Sequence, residues 1–232
     1  MKGSLVIIKQ TEMLIAILSF ILCFSYQVSA QDKPISNSSS APITYGLVID
    51  RSASMRSKLN EIIQTGQAII AANQTEDEAF LITFISRDRI TTDVPITKNK
   101  REVITTLDEI YVMGGLSAVI DAIYFSAEYA VKQTQCESNN CRRTLILISD
   151  GEDKDSSRKE KELLSYLKEN NVRVLIIGVD EYIKKSTHEE PNKRAASFLK
   201  RLASETNGKA FFPKDTKELN NNIQELLVEL RK

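Results

Sequence analysis

Four short apolar runs, Ile43 to Ile49, Phe80 to Ile85, Leu145 to Ile148 and Val174 to Val179, recur along the chain almost without polar breaks. Continuous apolarity over so few residues is the pattern of strands buried on both faces. Between them the spacing changes to that of helices. Leu59, Ile62, Ile63, Ile69 and Ile70 mark one helix face, beginning near Ser57; Phe198, Leu199 and Leu202 mark a second, with Asn207-Gly208 placed to end it. Leu219, Ile223, Leu226, Leu227 and Leu230 predict a final helix over Thr216 to Leu230, after a short strand at Lys209 to Phe212. Ile90 to Val94 alternates apolar with polar residues, as a half-exposed edge strand does. Strands and helices in alternation predict an α/β fold, a doubly wound and mostly parallel central sheet with helices on both faces, because parallel strands need crossover connections. The charged run Asp150 to Glu162 reads as a loop entering a solvated helix face, and no internal repeat is present.

Residues 1–42 stand outside this pattern. Lys2 and Lys9 give a basic start, Met13 to Phe24 form a short apolar run, and Val28-Ser29-Ala30 supplies small residues at a cleavage position. That succession is expected of a secretory signal peptide over residues 1–30. The apolar run is shorter than the roughly 20 residues of a comfortable span, so a membrane role requires that the segment stay uncleaved. Residues 31–42, polar and bounded by Pro34 and Pro42, are expected to be a flexible linker. The domain proper is then expected over residues 43–232, in a secreted, periplasmic or cell-envelope protein. Some 200 residues are enough for one well-buried core.

Charge changes the picture only by exclusion. The chain carries 31 Lys and Arg against 31 Asp and Glu, which leaves no basic footprint for nucleic acid. Cys136 and Cys141 lie in one polar loop, and in an exported protein that placement suggests a local disulfide. His188, the one histidine, sits in a polar run and is expected to be exposed.

The candidate chemistry lies where apolar runs end. Asp50, Ser52 and Ser54 follow the first run directly, Ser117 follows Gly114-Gly115-Leu116 ahead of a helical stretch, and Asp150 closes Leu145-Ile146-Leu147-Ile148-Ser149. In an open α/β sheet, ligands bind beyond the carboxyl ends of the strands. Two carboxylates and three hydroxyls gathered there suit a small hard cation such as Mg2+, which prefers six oxygens and retains some water. Taken singly, these segments have plainer readings. Asp50 and Ser54 could cap the helix near Ser57, and Asp150-Gly151 could be an ordinary turn. Glu152, Asp153 and Asp155 lack the spacing of a calcium loop and read as a solvated acidic stretch.

These three elements, in this order, resemble a von Willebrand factor type A domain over about Ile43 to Leu230. Asp50, Ser52 and Ser54 match the family's Asp-x-Ser-x-Ser motif, Ser117 stands at its threonine position, and Asp150 matches its later aspartate. The resemblance implies a metal-ion-dependent adhesion site that holds Mg2+, with Mn2+ or Ca2+ as alternatives. It also implies that an acidic side chain of another protein fills the open position. Asp121 reads either as an outer hydrogen-bond support of that site or as a first-turn acid favourable to the helix dipole. Two alternatives remain: a scaffold subunit with a purely structural metal, and an aspartate-based phosphoryl-transfer enzyme. The second is weakened by Ser52, which stands where such enzymes place a further aspartate. No Gly-x-Ser-x-Gly elbow supports a serine hydrolase.

Overall fold

Strand β1 (Thr44–Asp50) lies at the middle of the sheet because nearly every residue in it can be buried: all but Thr44 are inaccessible. The computed structural model describes residues 41–134, 143–179 and 192–232. The expected signal peptide, most of the linker, Cys136, Cys141 and His188 lie outside the described residues.

From β1 the chain passes through a 3-10 turn (Ala53–Ser57) into α1 (Leu59–Ala71), then β2 (Glu78–Ser86), β3 (Arg89–Thr97), α2 (Lys100–Asp108) and α3 (Val119–Gln133). It continues through β4 (Arg143–Ser149), α4 (Glu160–Glu169), β5 (Val172–Gly178), α5 (Lys193–Glu205), β6 (Ala210–Phe211) and α6 (Thr216–Leu230). The sheet order is β3-β2-β1-β4-β5-β6. β2, β4, β5 and β6 run parallel to their neighbours across β1, and β3 alone is antiparallel, joined to β2 at the edge. The expected doubly wound α/β architecture is thus the observed one. Pro95 falls in β3, where an edge position tolerates a missing N–H.

Alternation along the strands divides the core in two. Leu47, Ile49, Ile146, Ile148 and Leu175 meet α1, α2 and α6 on one face; Val48, Leu145, Leu147, Val174 and Ile176 meet α3, α4 and α5 on the other. The strands reach further than the apolar runs. β2 begins at Glu78 and β4 at Arg143, because Glu78 pairs with Thr44 and Arg143 with Val172 at a polar end of the sheet. α5 ends as its Asn-Gly signal predicts: Asn207 turns left-handed (φ 56°) and the Gly208 N–H donates to Ala203 O at 2.8 Å. α2, with only Val103 and Leu107 fully buried, is not announced by the sequence pattern; the Asn99 side chain caps it by accepting from Glu102 N–H at 3.3 Å.

At the amino-terminal pole of the strands one carboxylate gathers the two ends of the fold. Asp77 accepts from Ile43 N–H (3.1 Å), from Gln74 N–H and from both terminal nitrogens of Arg231, just past α6. Burial pushes its carboxyl up, but the Arg231 guanidinium and the two N–H donors outweigh that and hold it below the usual range. Arg173 secures the same helix end, donating to the carbonyls of Glu229 and Leu230.

Candidate functional site

At the opposite pole, β1 and β4 end side by side. The chain leaves β1 toward β2 on one side, while β4 lies on the other, so this is the point at which strand order reverses and a crevice opens. Asp50 is the last residue of β1 and Asp150 directly follows β4; both are buried, as are Ser52 and Ser117.

The side chains predicted from three separate segments converge here. Asp50 Oδ1 accepts from Ser52 N–H at 2.9 Å, which turns the chain sharply out of the strand. Asp50 Oδ2 accepts from the Ser117 hydroxyl at 2.9 Å across 67 residues of sequence. The Ser52 and Ser54 hydroxyls share a hydrogen bond at 3.1 Å. Asp150 Oδ1 accepts from Glu152 N–H at 2.9 Å, and the Ser54 hydroxyl also acts on this carboxylate. The capping alternative fails on geometry. α1 starts at Leu59 behind Lys58, and neither Lys58 nor Ser52, at the start of the 3-10 turn, makes a side-chain cap bond.

Ser149 belongs to the same cluster and was not singled out by the sequence. Its hydroxyl donates to Asp50 Oδ2 at 2.9 Å and accepts from Gly151 N–H at 2.9 Å, so it ties the two strand ends together. The available signal was a lone hydroxyl closing an otherwise apolar strand beside Asp150. Gly151 carries the turn that follows with φ 77°, and a Cβ there would lie 2.7 Å from Leu199 Cδ1. Only glycine meets both conditions without strain.

Asp121 hydrogen-bonds to none of these ligand candidates. Its carboxylate accepts from the Ser157 N–H (2.8 Å) and hydroxyl (2.9 Å) and from Arg158 N–H (3.0 Å). Those donors outweigh its burial and hold the carboxyl below its usual range. The loop it clamps returns to the site, because Lys154 N–H and Asp155 N–H donate to Ser117 O at 2.8 and 3.0 Å. Asp153 and Asp155 are likewise engaged, with Ile120 N–H and Arg87 N–H, as a loop framework.

Electrostatically the centre is short of positive charge. Burial, and then the neighbouring Asp150 charge, push Asp50 from 3.8 up to about 7 despite its hydrogen bonds. Burial likewise raises Asp150, with the Ser54 hydroxyl and Glu152 N–H opposing. No lysine or arginine donates to either carboxylate among the described residues; Lys154 pairs with Glu152 instead. No three Asp, Glu, His or Cys side chains gather as a metal site among the described residues. The donor set is two carboxylates and hydroxyls, which suits a hard oxygen-seeking cation and no soft one.

Comparison with known proteins agrees with the fold. The family model described as "von Willebrand factor type A domain" matches residues 46–226. Among solved structures, a conserved hypothetical protein BatB from Bacteroides thetaiotaomicron is 14% identical, with a TM-score of 0.61 over 81% of this chain and 98% of that one. An aerotolerance-related membrane protein from Bacteroides fragilis is 17% identical, with a TM-score of 0.62 and the same coverage. The proximal thread matrix protein 1 of the mussel byssus is 17% identical, with a TM-score of 0.61 over 80% of this chain and 44% of that one. No curated protein matches the chain.

Proposed function

This chain belongs to the von Willebrand factor type A family, whose domains typically serve as protein-interaction modules, and from that premise we propose that it binds a partner protein through a divalent cation. Asp50, Ser52, Ser54, Ser117 and Asp150 would hold the ion, Mg2+ by preference. The ion would supply an electrophilic position for a carboxylate of the partner. One observation carries the reading: two buried carboxylates with mutually unfavourable charges share a crevice with the hydroxyls of Ser52, Ser54, Ser117 and Ser149, and no lysine or arginine donates to them among the described residues. A cation relieves that repulsion, whereas a merely structural cluster has no reason to retain it. The reading is of a binding module, in keeping with the family's typical role in protein interaction.

Two observations support a location. Residues 1–30 read as an export leader, and the Bacteroides fragilis neighbour is described as a membrane protein. No described helix is long and apolar enough to cross a membrane. We assign the chain to the cell envelope or the exterior.

Calorimetric titration with magnesium tests the site. The native protein is expected to bind and Asp50→Ala to be silent; equal binding by both removes the site. A pull-down from an envelope fraction, with and without chelator, then tests whether partner capture depends on the ion.

A further inference from the structure

The segment that delivers Ser117 also exposes apolar surface. Tyr111 is 62% and Leu116 58% exposed, and both lie between the end of α2 and the start of α3, with Leu116 adjacent to Ser117. Phe125 and Val228, the other exposed large apolar residues among the described ones, sit on helices α3 and α6.

This segment is held on two sides. Arg51, next to Asp50, accepts from Met113 N–H at its carbonyl (3.3 Å), donates from Nε to Tyr111 O (3.2 Å), and sets its guanidinium 5.3 Å from the Tyr111 ring centre. Arg89 donates from Nη2 to Gly114 O at 2.7 Å. Gly115 packs so closely beneath that a Cβ would lie 2.4 Å from Ile85 Cγ2 and 2.8 Å from Arg89 Nη2. Apolar side chains presented on a braced backbone cost little ordering on association, the condition under which exposed aromatic and aliphatic groups become binding anchors.

The charge of the rim adds a second constraint. Arg51 and Arg89 donate to neutral oxygens alone among the described residues: Tyr111 O and Thr83 Oγ1 for the first, Ser86 Oγ and Gly114 O for the second. Neither guanidinium hydrogen-bonds to a carboxylate among the described residues, and both stand beside the two apolar side chains.

We infer that this rim receives a protein segment in which an acidic residue is flanked by apolar side chains. The carboxylate faces the Asp50 centre and the arginines, and the flanking residues rest on Tyr111 and Leu116. This inference rests on the protein-binding reading of the same face and specifies the partner's chemistry.

The test uses three labelled peptides of equal length: one aspartate between Leu and Phe, the same aspartate between serines, and asparagine between Leu and Phe. Each is titrated by fluorescence polarisation in magnesium and in chelator. The Leu-Asp-Phe peptide is expected to bind about tenfold more tightly than the serine-flanked one, the scale of burying one apolar side chain. That advantage disappears in Tyr111→Ser/Leu116→Ser and survives in Leu116→Met, while calorimetric magnesium affinity stays unchanged in both. Equal affinity for the two flanks, or a preference that persists in the double serine variant, overturns the inference. Silence of the native protein toward magnesium alone overturns the metal reading instead, and the flank contrast in chelator then decides the rim by itself. Self-association that the double variant abolishes assigns the patch to a second copy and also overturns it.

Discussion

Replacing Asp50 by asparagine should make the metal-free protein more stable. The side chain keeps its shape, and its oxygen can still accept from Ser52 N–H. What disappears is a buried charge. Holding a carboxyl at about 7 in the fold against 3.8 as its ordinary value costs on the order of 4 kcal/mol once it is ionised, at roughly 1.36 kcal/mol per pKa unit. Part of this gain is lost, because the Ser117 and Ser149 hydroxyls, now donors to Oδ2, must turn to accept from an amide. At about 1 kcal/mol per reorganised bond the net gain is about 1–3 kcal/mol. The sign fixes the pH window. The folded pKa is raised, so the native protein suffers no penalty below about 4, a growing one toward 7, and the full one above. Thermal and urea melts in chelator should therefore show the variant ahead at pH 8 and behind by about 2 kcal/mol at pH 4, where only the reorganised bonds count, with a melting-point change of roughly 2–4 °C per kcal/mol. Added magnesium should reverse the order, since binding to the native state stabilises it by mass action and the variant gains nothing. A variant that is less stable than the native protein in chelator at pH 8, with an unchanged urea slope, would refute the reasoning.

Other outcomes follow from single contacts. Ser149→Ala should weaken magnesium binding about 10–100-fold in calorimetry, the usual effect of losing an outer partner of a ligand, without unfolding the domain. Gly151→Ala should cost about 1–3 kcal/mol in urea melts, since φ 77° and the Leu199 side chain both oppose a Cβ. Asp77→Ala should cost about 3–5 kcal/mol, as it strands the Arg231 guanidinium and two N–H groups. Asp77 and Asp121 both have folded pKa values below their ordinary ones, so the stability they add is complete above those ordinary values and is lost as pH falls through the folded ones. An acid titration followed by circular dichroism should lose stability over that range, and less steeply in Asp121→Asn.

The parts legible in the sequence were those that a single physical demand fixes. β1, β2, β4 and β5 are buried on both sides, so their apolar runs have no competing interpretation. Their polar first residues, Glu78 and Arg143, pair at the rim and carry no such signal. α2 was invisible because a helix lying at the margin of the core needs few apolar residues, and charged ones fill the rest. At the candidate site, Asp50, Ser52, Ser54, Ser117 and Asp150 were foreseen from their order, and they do gather. Ser149 was missed because its role depends on β1 and β4 being neighbours, a fact of sheet order. Asp121 acts through a loop partner 36 residues away, which no local pattern encodes.

The Asp77 knot has a mechanical reading. The polypeptide enters the fold at Ile43 and leaves it at Arg231, and both are fastened to the same carboxylate. Tension applied between those two positions would be borne by that knot together with the Arg173 contacts to the same helix end, at the pole opposite Asp50.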